Sequence, residues 1–291
     1  MDFAELHCTS AFTFLTGASQ PEELVLQAWR QGYRALAITD DGSLAGVVRA
    51  YQARENLKKA LEDEGRALDF RLIVGSHFRL HQDRGELRLV LLARDRQAYG
   101  EISTLITRGR RRAEKGHYRL HWRDLTRIDR NALCLWLPAG DDRDEHHAAL
   151  LKAHFGERLW MACELLQDRN DALHYRYCYQ LADRFGLAMT AANDVHYHRP
   201  ERQRLQELLT ALRLNTTVRD LGRRRFQNDQ RHLRGLDRLA GIYPPALLEE
   251  AAWIADQCHF EMDEIRYQYP EEVVPPGQNA DDYLAALAHQ G

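Results

Sequence analysis

The chain lacks the features that define a membrane protein or a secreted, disulfide-linked protein. No apolar run approaches the roughly 20 residues that a membrane-spanning helix needs. The first residues, MDFAELHCTS, carry no positively charged segment, so we expect no signal peptide. The five cysteines are odd in number and show no CxxC spacing. That pattern argues against a disulfide framework and a zinc knuckle, and it favours reduced thiols in the cytoplasm.

Net charge is close to neutral, but it is unevenly distributed along the chain. Residues 108–127 include eight basic and two acidic side chains, and residues 199–238 are again basic. From Pro244 onward, ten acidic residues are accompanied by one basic residue, Arg266. This asymmetry is typical of a protein that contacts a polyanion on one side and another protein on the other. Solvated helix faces would produce the same pattern.

Seven short apolar segments indicate buried strands, and helical patterns lie between most of them. The predicted strands are 4–8, 34–39, 70–75, 87–93, 132–137, 159–165 and 187–192. Each is largely apolar on both faces, which predicts a parallel sheet covered by helices. Seven strands alternating with helices therefore predict an α/β fold, either a barrel or a doubly wound sheet.

In either architecture the connecting loops converge at the carboxyl ends of the strands, so chemistry is expected there. Four of the seven predicted strands end on candidate metal ligands. These residues are His7, Asp40, Asp41, His77, Asp194 and His196. A histidine and an aspartate at such a place could bind an ion, or they could form a hydrogen bond without one.

Two further patterns predict local structure. Ser19 and Glu22, with Pro21 between them, predict a capping box at the start of a helix. Leucines recur at helical spacing in residues 205–212 and predict a face that packs inside the protein.

Successive blocks of the sequence resemble, in the same order, those of one known family. They include AELHCTSAFTFLTGASQPEELV, ALAITDDGSLAGVVRA, LIVGSHFRL, TAANDVHYH and IRYQYPEEVVPPGQ. The family is the polymerase-and-histidinol-phosphatase (PHP) domain of bacterial C-family DNA polymerases, and the error-prone, damage-inducible branch is the closer match. The resemblance implies a distorted seven-stranded β/α barrel of the PHP type with a helical C-terminal extension. It places the barrel at 1–200, the extension at 201–262, and a linker leading into a polymerase region at 263–291.

In active members of that family, side chains at the strand ends hold up to three divalent metals, which activate water for attack on a phosphoester. The residues here that match ligand positions are His7, Asp40, Asp194 and His196, with Asp41 and His77 as substitutes. Thr9 and Arg88 stand where the family has histidines, and the cysteine expected after the fifth strand is absent. Because Arg88 would repel cations, we expect no metal or at most one Zn²⁺, Mn²⁺ or Mg²⁺.

The resemblance also implies a function for a longer parent chain. That chain would be an error-prone translesion DNA polymerase, a cytoplasmic nucleotidyltransferase of DNA replication and repair whose Mg²⁺ site lies outside these residues. A sliding clamp and an inactive Y-family-like polymerase would be its partners. For this chain we expect a monomeric, catalytically inactive scaffold. An active phosphoesterase or 3′–5′ exonuclease is one alternative.

A DNA-binding module is the other alternative. The candidate nucleic-acid-binding residues are Arg108, Arg110, Arg111, Arg112 and Lys115. Arginine-rich, sequence-independent phosphate binding would suit a domain close to template DNA. The same residues would equally serve a salt-bridged contact with the rest of a polymerase, and the sequence does not rank the two.

Overall fold

The computed structural model describes residues 2–127, 131–265, 274–275 and 277–290. The chain divides into two compact units between Glu261 and Met262. In chain order, the first unit contains β1 (Ala4–Cys8), α1 (Pro21–Arg30), β2 (Ala35–Ile38), α2 (Val47–Asp63), β3 (Arg71–Gln82), β4 (Gly85–Leu92), α3 (Arg96–Arg111), α4 (Trp122–Leu125), β5 (Leu133–Leu137), α5 (Arg143–Phe155), β6 (Leu159–Glu164), α6 (Asp171–Phe185), β7 (Ala188–Ala192), α7 (Gln203–Arg213), α8 (Leu236–Ala240) and α9 (Pro245–Asp256). The second unit contains α10 (Ala280–Gln290).

The predicted bounds 1–200, 201–262 and 263–291 stay predictions, and part of the predicted linker lies outside the described residues. None of the helices in the described ranges is both long and apolar enough to cross a lipid bilayer.

The seven strands form one mixed sheet in the order β1 to β7. The sheet comes close to closing as a barrel, because Cys8 at the end of β1 forms a parallel bridge with Val195, just after β7. The Thr9 N–H donates to the Val195 carbonyl at 2.7 Å, and the Val195 N–H donates to the His7 carbonyl at 2.9 Å. Helices surround the strands, so the predicted distorted seven-stranded β/α barrel is confirmed.

The prediction of a uniformly parallel sheet is wrong at β4. This strand is antiparallel to both neighbours, β3 and β5. A short turn at residues 83–84 joins β3 to β4, so no crossover helix separates them. Because β4 is apolar on both faces, its pattern did not reveal its direction. The reversal places Arg88, near the start of β4, beside Leu137 at the carboxyl end of β5.

The capping box predicted for Ser19 and Glu22 is wrong by one residue. The Gln20 N–H donates to Glu23 Oε2 at 2.9 Å at the start of α1. Ser19 has another partner, because its Oγ lies 2.7 Å from Nδ1 of His198. Ser19 therefore ties the entry of α1 to the segment that follows β7.

Helix α7 turns its polar side inward. Gln206 and Thr210 are buried, whereas Leu208 and Leu212 are 48% and 60% exposed. The prediction that the leucines of 205–212 pack inside is therefore wrong for these two. Gln206 and Thr210 line a polar cavity at the barrel mouth, so the polar face of this amphipathic helix is the one that is covered.

A buried polar network lies next to the barrel mouth. Glu5 accepts a hydrogen bond from Asn193 Nδ2 at 2.5 Å, and Arg234 donates to Asn193 Oδ1. Tyr243 Oη lies 3.1 Å from the same oxygen. Burial raises the pKa of Glu5, although its hydrogen bonds oppose that shift. This network fixes the backbone just before Asp194, whose φ of 44° lies in the left-handed region.

A candidate metal site at the barrel mouth

A cavity of about 290 Å³ opens at the barrel mouth. Of the six predicted ligands and substitutes, five line it: His7, Asp41, His77, Asp194 and His196. Asp40 is not among the lining residues. Glu164, at the end of β6, lines the cavity and was missed by the sequence prediction.

His7 stands between two carboxylates. Its Nδ1 lies 2.8 Å from Glu164 Oε1, and its Nε2 lies 3.7 Å from Asp194 Oδ1. Nε2 is buried and has no hydrogen-bond partner among the described residues. Ligand atoms of His7, Glu164 and Asp194 all lie within 4.8 Å of one another. One imidazole and two carboxylates at this spacing can supply three donors to a single divalent ion.

Glu164 escaped the sequence prediction because it belongs to the segment CELLQ, which was assigned to the apolar core. A charged residue at the end of a predicted buried strand was the available signal. Burial by itself would raise the pKa of Glu164, but the His7 hydrogen bond and the nearby positive charges of Arg231 and Arg88 lower it below its usual value. Glu164 is therefore a carboxylate at neutral pH.

Asp194 forms an ion pair with Arg231. The Arg231 guanidinium carbon lies 4.4 Å from the centre of the Phe226 ring, a cation–π contact that holds the side chain in place. Burial lowers the pKa of Arg231 from its usual value. No spacing in the sequence linked Arg231 to Asp194, so the prediction also missed this residue.

The other two histidines that line the cavity, His196 and His77, are uncharged, so each can offer a ring nitrogen to a metal ion. Burial lowers the pKa of His196 to about 3, and its Nδ1 lies 2.8 Å from the Asp194 carbonyl oxygen. Burial also lowers the pKa of His77 well below the usual value. The His77 Nδ1 lies 3.8 Å from Asp41 Oδ1, and its buried Nε2 has no hydrogen-bond partner among the described residues.

The Asp40 carboxylate stabilises the loop that follows β1 through hydrogen bonds. It accepts hydrogen bonds from the Ser10 N–H at 2.9 Å, from Ser10 Oγ at 2.8 Å and from Thr13 Oγ1 at 2.7 Å. Burial raises the pKa of Asp40, while these hydrogen bonds oppose the shift. The ligand role of Asp40 stays a prediction, and this geometry does not favour it.

Positive charge outweighs negative charge in the cavity lining. Four arginines, Arg79, Arg88, Arg213 and Arg224, face three carboxylates, those of Asp41, Glu164 and Asp194. Even with neutral histidines, the lining carries one net positive charge. Neighbouring divalent cations need an excess of anionic donors, because their mutual repulsion is strong at short range. The residues therefore fit one ion and do not fit a cluster of two or three.

The predicted nucleic-acid-binding residues differ in their contacts within the fold. Arg108 and Arg112 both donate to Asp124, through its carbonyl and its carboxylate respectively. Arg110 donates to the Gly42 carbonyl at 3.0 Å. The other two residues, Arg111 and Lys115, are exposed.

A second basic feature lies nearby on the surface. A cavity of about 420 Å³ is lined by Arg112, Arg119, His121, Arg123 and Arg127. Of the predicted set, Arg112 alone contributes to this lining. The arginines come from α4 and the segments on either side of it, so their convergence depends on the fold of this region.

Comparison with known proteins identifies the family. A family model described as the PHP domain matches residues 5–172. The chain belongs to the PHP domain family. This PHP domain is 47% identical over 290 residues to a Methylococcus capsulatus protein named error-prone DNA polymerase, and the match covers 99% of this chain and 26% of that protein.

A Pseudomonas aeruginosa protein with the same name is 44% identical over 289 residues, again covering 99% of this chain and 26% of the relative. The PHP domain thus spans about a quarter of the length of these curated relatives. Among solved structures, an amidohydrolase from Chromobacterium violaceum is 15% identical with a TM-score of 0.47, over 66% of this chain and 87% of that one.

The site geometry predicts opposite outcomes for two carboxylate substitutions. Glu164→Gln should weaken Mn²⁺ binding by about tenfold or more, which is ~1.4 kcal/mol or more, because it removes an anionic donor next to His7. Asp40→Asn should leave the Mn²⁺ affinity unchanged and lower the free energy of unfolding by about 1–3 kcal/mol, because buried donors lose a charged acceptor.

Titration calorimetry measures the affinities, and urea unfolding measures the stability. Asp63→Asn, at an exposed position at the end of α2, is the matched control and should change neither quantity. Loss of Mn²⁺ binding in Asp40→Asn with full binding in Glu164→Gln would contradict this assignment of the site.

Proposed function

We propose that this PHP domain is part of an error-prone DNA polymerase and that it serves there as a scaffold without phosphoesterase activity. The similarity to proteins of that name, over 99% of this chain, supports the first statement. The Asp194–Arg231 ion pair supports the second. In this pair Asp194, one of the three clustered donors, is neutralised by the guanidinium of Arg231.

The proposed parent enzyme would add nucleotides to a primer opposite damaged template. Its Mg²⁺ would be bound by carboxylates outside these 291 residues. It would work in the cytoplasm with a sliding clamp and an inactive Y-family-like polymerase. These roles rest on the resemblance to the family.

The barrel mouth suits a single structural ion. His7, Glu164 and Asp194 would hold it, and a bound ion would supply Lewis-acid polarisation to an oxygen ligand. Arg231 competes with the ion for Asp194, so the ion would bind weakly while that pair persists. Arg88 and Arg213 add positive charge to the cavity lining, where a second ion would need carboxylates. The described residues of the mouth do not supply the ligands that two-metal hydrolysis of a phosphodiester requires.

A primer-extension experiment tests both halves of this proposal. The full-length protein that carries this sequence is incubated with a 5′-labelled primer on a damaged template, nucleotides and Mg²⁺ or Mn²⁺. The primer should be extended, and without nucleotides it should not be shortened. Asp194→Asn, in protein that circular dichroism shows to be folded, should extend the primer and leave it unshortened as the wild type does, because the barrel mouth takes no part in the chemistry.

Two results would overturn the proposal in different ways. Primer shortening that Asp194→Asn abolishes would establish an active 3′–5′ exonuclease. A complete lack of extension by a folded protein would refute the polymerase assignment.

Contact with single-stranded DNA is a second candidate function, supported by the arginine-lined surface cavity. Arg112, Arg119, Arg123 and Arg127 converge on one opening that is large enough for phosphate groups. Arg112 is paired with Asp124, so the other three supply most of the available positive charge. Binding through such residues would be independent of base sequence and sensitive to salt.

Fluorescence anisotropy with a labelled single-stranded oligonucleotide tests the DNA contact. Each phosphate contact contributes about −0.7 to the slope of log affinity against log salt. The double variant Arg119→Gln/Arg123→Gln should therefore bind more weakly and flatten that slope by about 1.4. Arg66→Gln removes an exposed charge after α2 and should have no effect. Binding that ignores salt, or that survives the double substitution unchanged, would refute this function.

A further inference from the structure

A cluster of two thiols and an imidazole lies between β6 and α6. Cys163 comes from the strand, and His174 and Cys178 come from the helix. One ligand atom from each of the three lies within 4.8 Å of the others. Both cysteines are free thiols and fully buried, whereas His174 is half-buried. The mouth residues and this cluster are the two groups of this kind among the described residues.

The cluster is separate from the barrel mouth. Successive residues of a strand point to opposite faces of the sheet. Glu164 lines the mouth cavity, so its neighbour Cys163 points to the outer face, which α6 covers. None of Cys163, His174 and Cys178 lines the mouth cavity. A ligand bound by the cluster would therefore share no donor with the mouth.

The helix places its two donors side by side. Residues four positions apart lie on the same face of an α-helix, so His174 and Cys178 both point towards β6. The helix runs without interruption from Asp171 to Phe185 and ends at Gly186, whose φ of 59° forms a left-handed cap. The two helical donors are therefore fixed by regular backbone.

The distance between one sulfur and one nitrogen of the cluster matches a tetrahedral zinc site. Zinc bonds of about 2.3 Å to sulfur and about 2.0 Å to nitrogen place neighbouring sulfur and nitrogen ligands ~3.5 Å apart in a tetrahedron. The Cys178 Sγ lies 3.6 Å from His174 Nε2. Thiolate and imidazole donors also favour Zn²⁺ over cations such as Mg²⁺ and Ca²⁺, which prefer carboxylate oxygens.

We propose that Cys163, His174 and Cys178 form a second metal site, which takes Zn²⁺ through two sulfurs and one nitrogen. On binding, each thiol loses its proton to the solvent, and two S–Zn bonds and one N–Zn bond form. Water completes the fourth position. The bound ion cross-links α6 to β6 and so stabilises the folded chain. This inference does not depend on the proposed function.

Cobalt is the probe for the thiolates, because cobalt bound to thiolate sulfur absorbs in the near ultraviolet. The reduced, metal-free 291-residue chain is titrated with Co²⁺ alone and then with Zn²⁺. The expected result is a sulfur-to-cobalt band that saturates at one ion per chain and disappears when Zn²⁺ displaces the cobalt. Zn²⁺ should also raise the melting temperature of the wild type.

Variants locate the site. Cys178→Ser should abolish the band, and His174→Gln should weaken binding. Since His174 is half-buried, His174→Gln tests the proposal even if Cys178→Ser fails to fold. Cys134→Ser and Cys258→Ser remove buried thiols outside the cluster and should keep the band. Glu164→Gln, at the mouth, should keep it too.

Three results would overturn the proposal. The first is the absence of a sulfur-to-cobalt band in the reduced, folded chain. The second is a band that a folded Cys178→Ser retains. The third is cobalt binding that His174→Gln leaves at full strength.

Discussion

The ion pair between Asp194 and Arg231 is the interaction on which the charge balance and the metal affinity of the barrel mouth depend. A carboxylate at the end of a barrel strand is an available ligand only while no protein cation neutralises it. Arg231 is held over the Phe226 ring and lies beside Asp194, so the charge is balanced within the chain. Removing one member of this partly buried pair would leave the other uncompensated, so the pair resists replacement by a weakly bound ion.

Barrel closure positions Asp194, and the non-helical segment just before α8 supplies Arg231. The bridge between Cys8 and Val195 brings His7 beside Asp194. The reversed strand β4 adds Arg88, and α7 covers the opening with its polar face. The exposed leucines of α7 follow from the same arrangement, because a helix that covers a polar cavity turns its apolar side outward. Elements within the family-matched region 5–172 and beyond its end thus build one cavity.

The sequence predicted the strands well, since each is a short apolar run bounded by polar turns. It predicted five residues of the cavity lining, because side chains at the carboxyl ends of strands meet at one end of a barrel. It did not predict the direction of β4, because an apolar strand carries no directional signal. It also missed Arg231, since pairing across 37 positions of sequence depends on tertiary structure. The sequence also did not predict that the Asp40 carboxylate accepts hydrogen bonds from Ser10 and Thr13, and the ligand role of Asp40 stays a prediction.

Anomalous diffraction from crystals of the 291-residue chain soaked in Mn²⁺ would locate and count the ions that the barrel mouth binds. We expect one peak at most, between His7, Glu164 and Asp194. Two or more well-ordered Mn²⁺ ions in that cavity, with Arg231 displaced from Asp194, would contradict it.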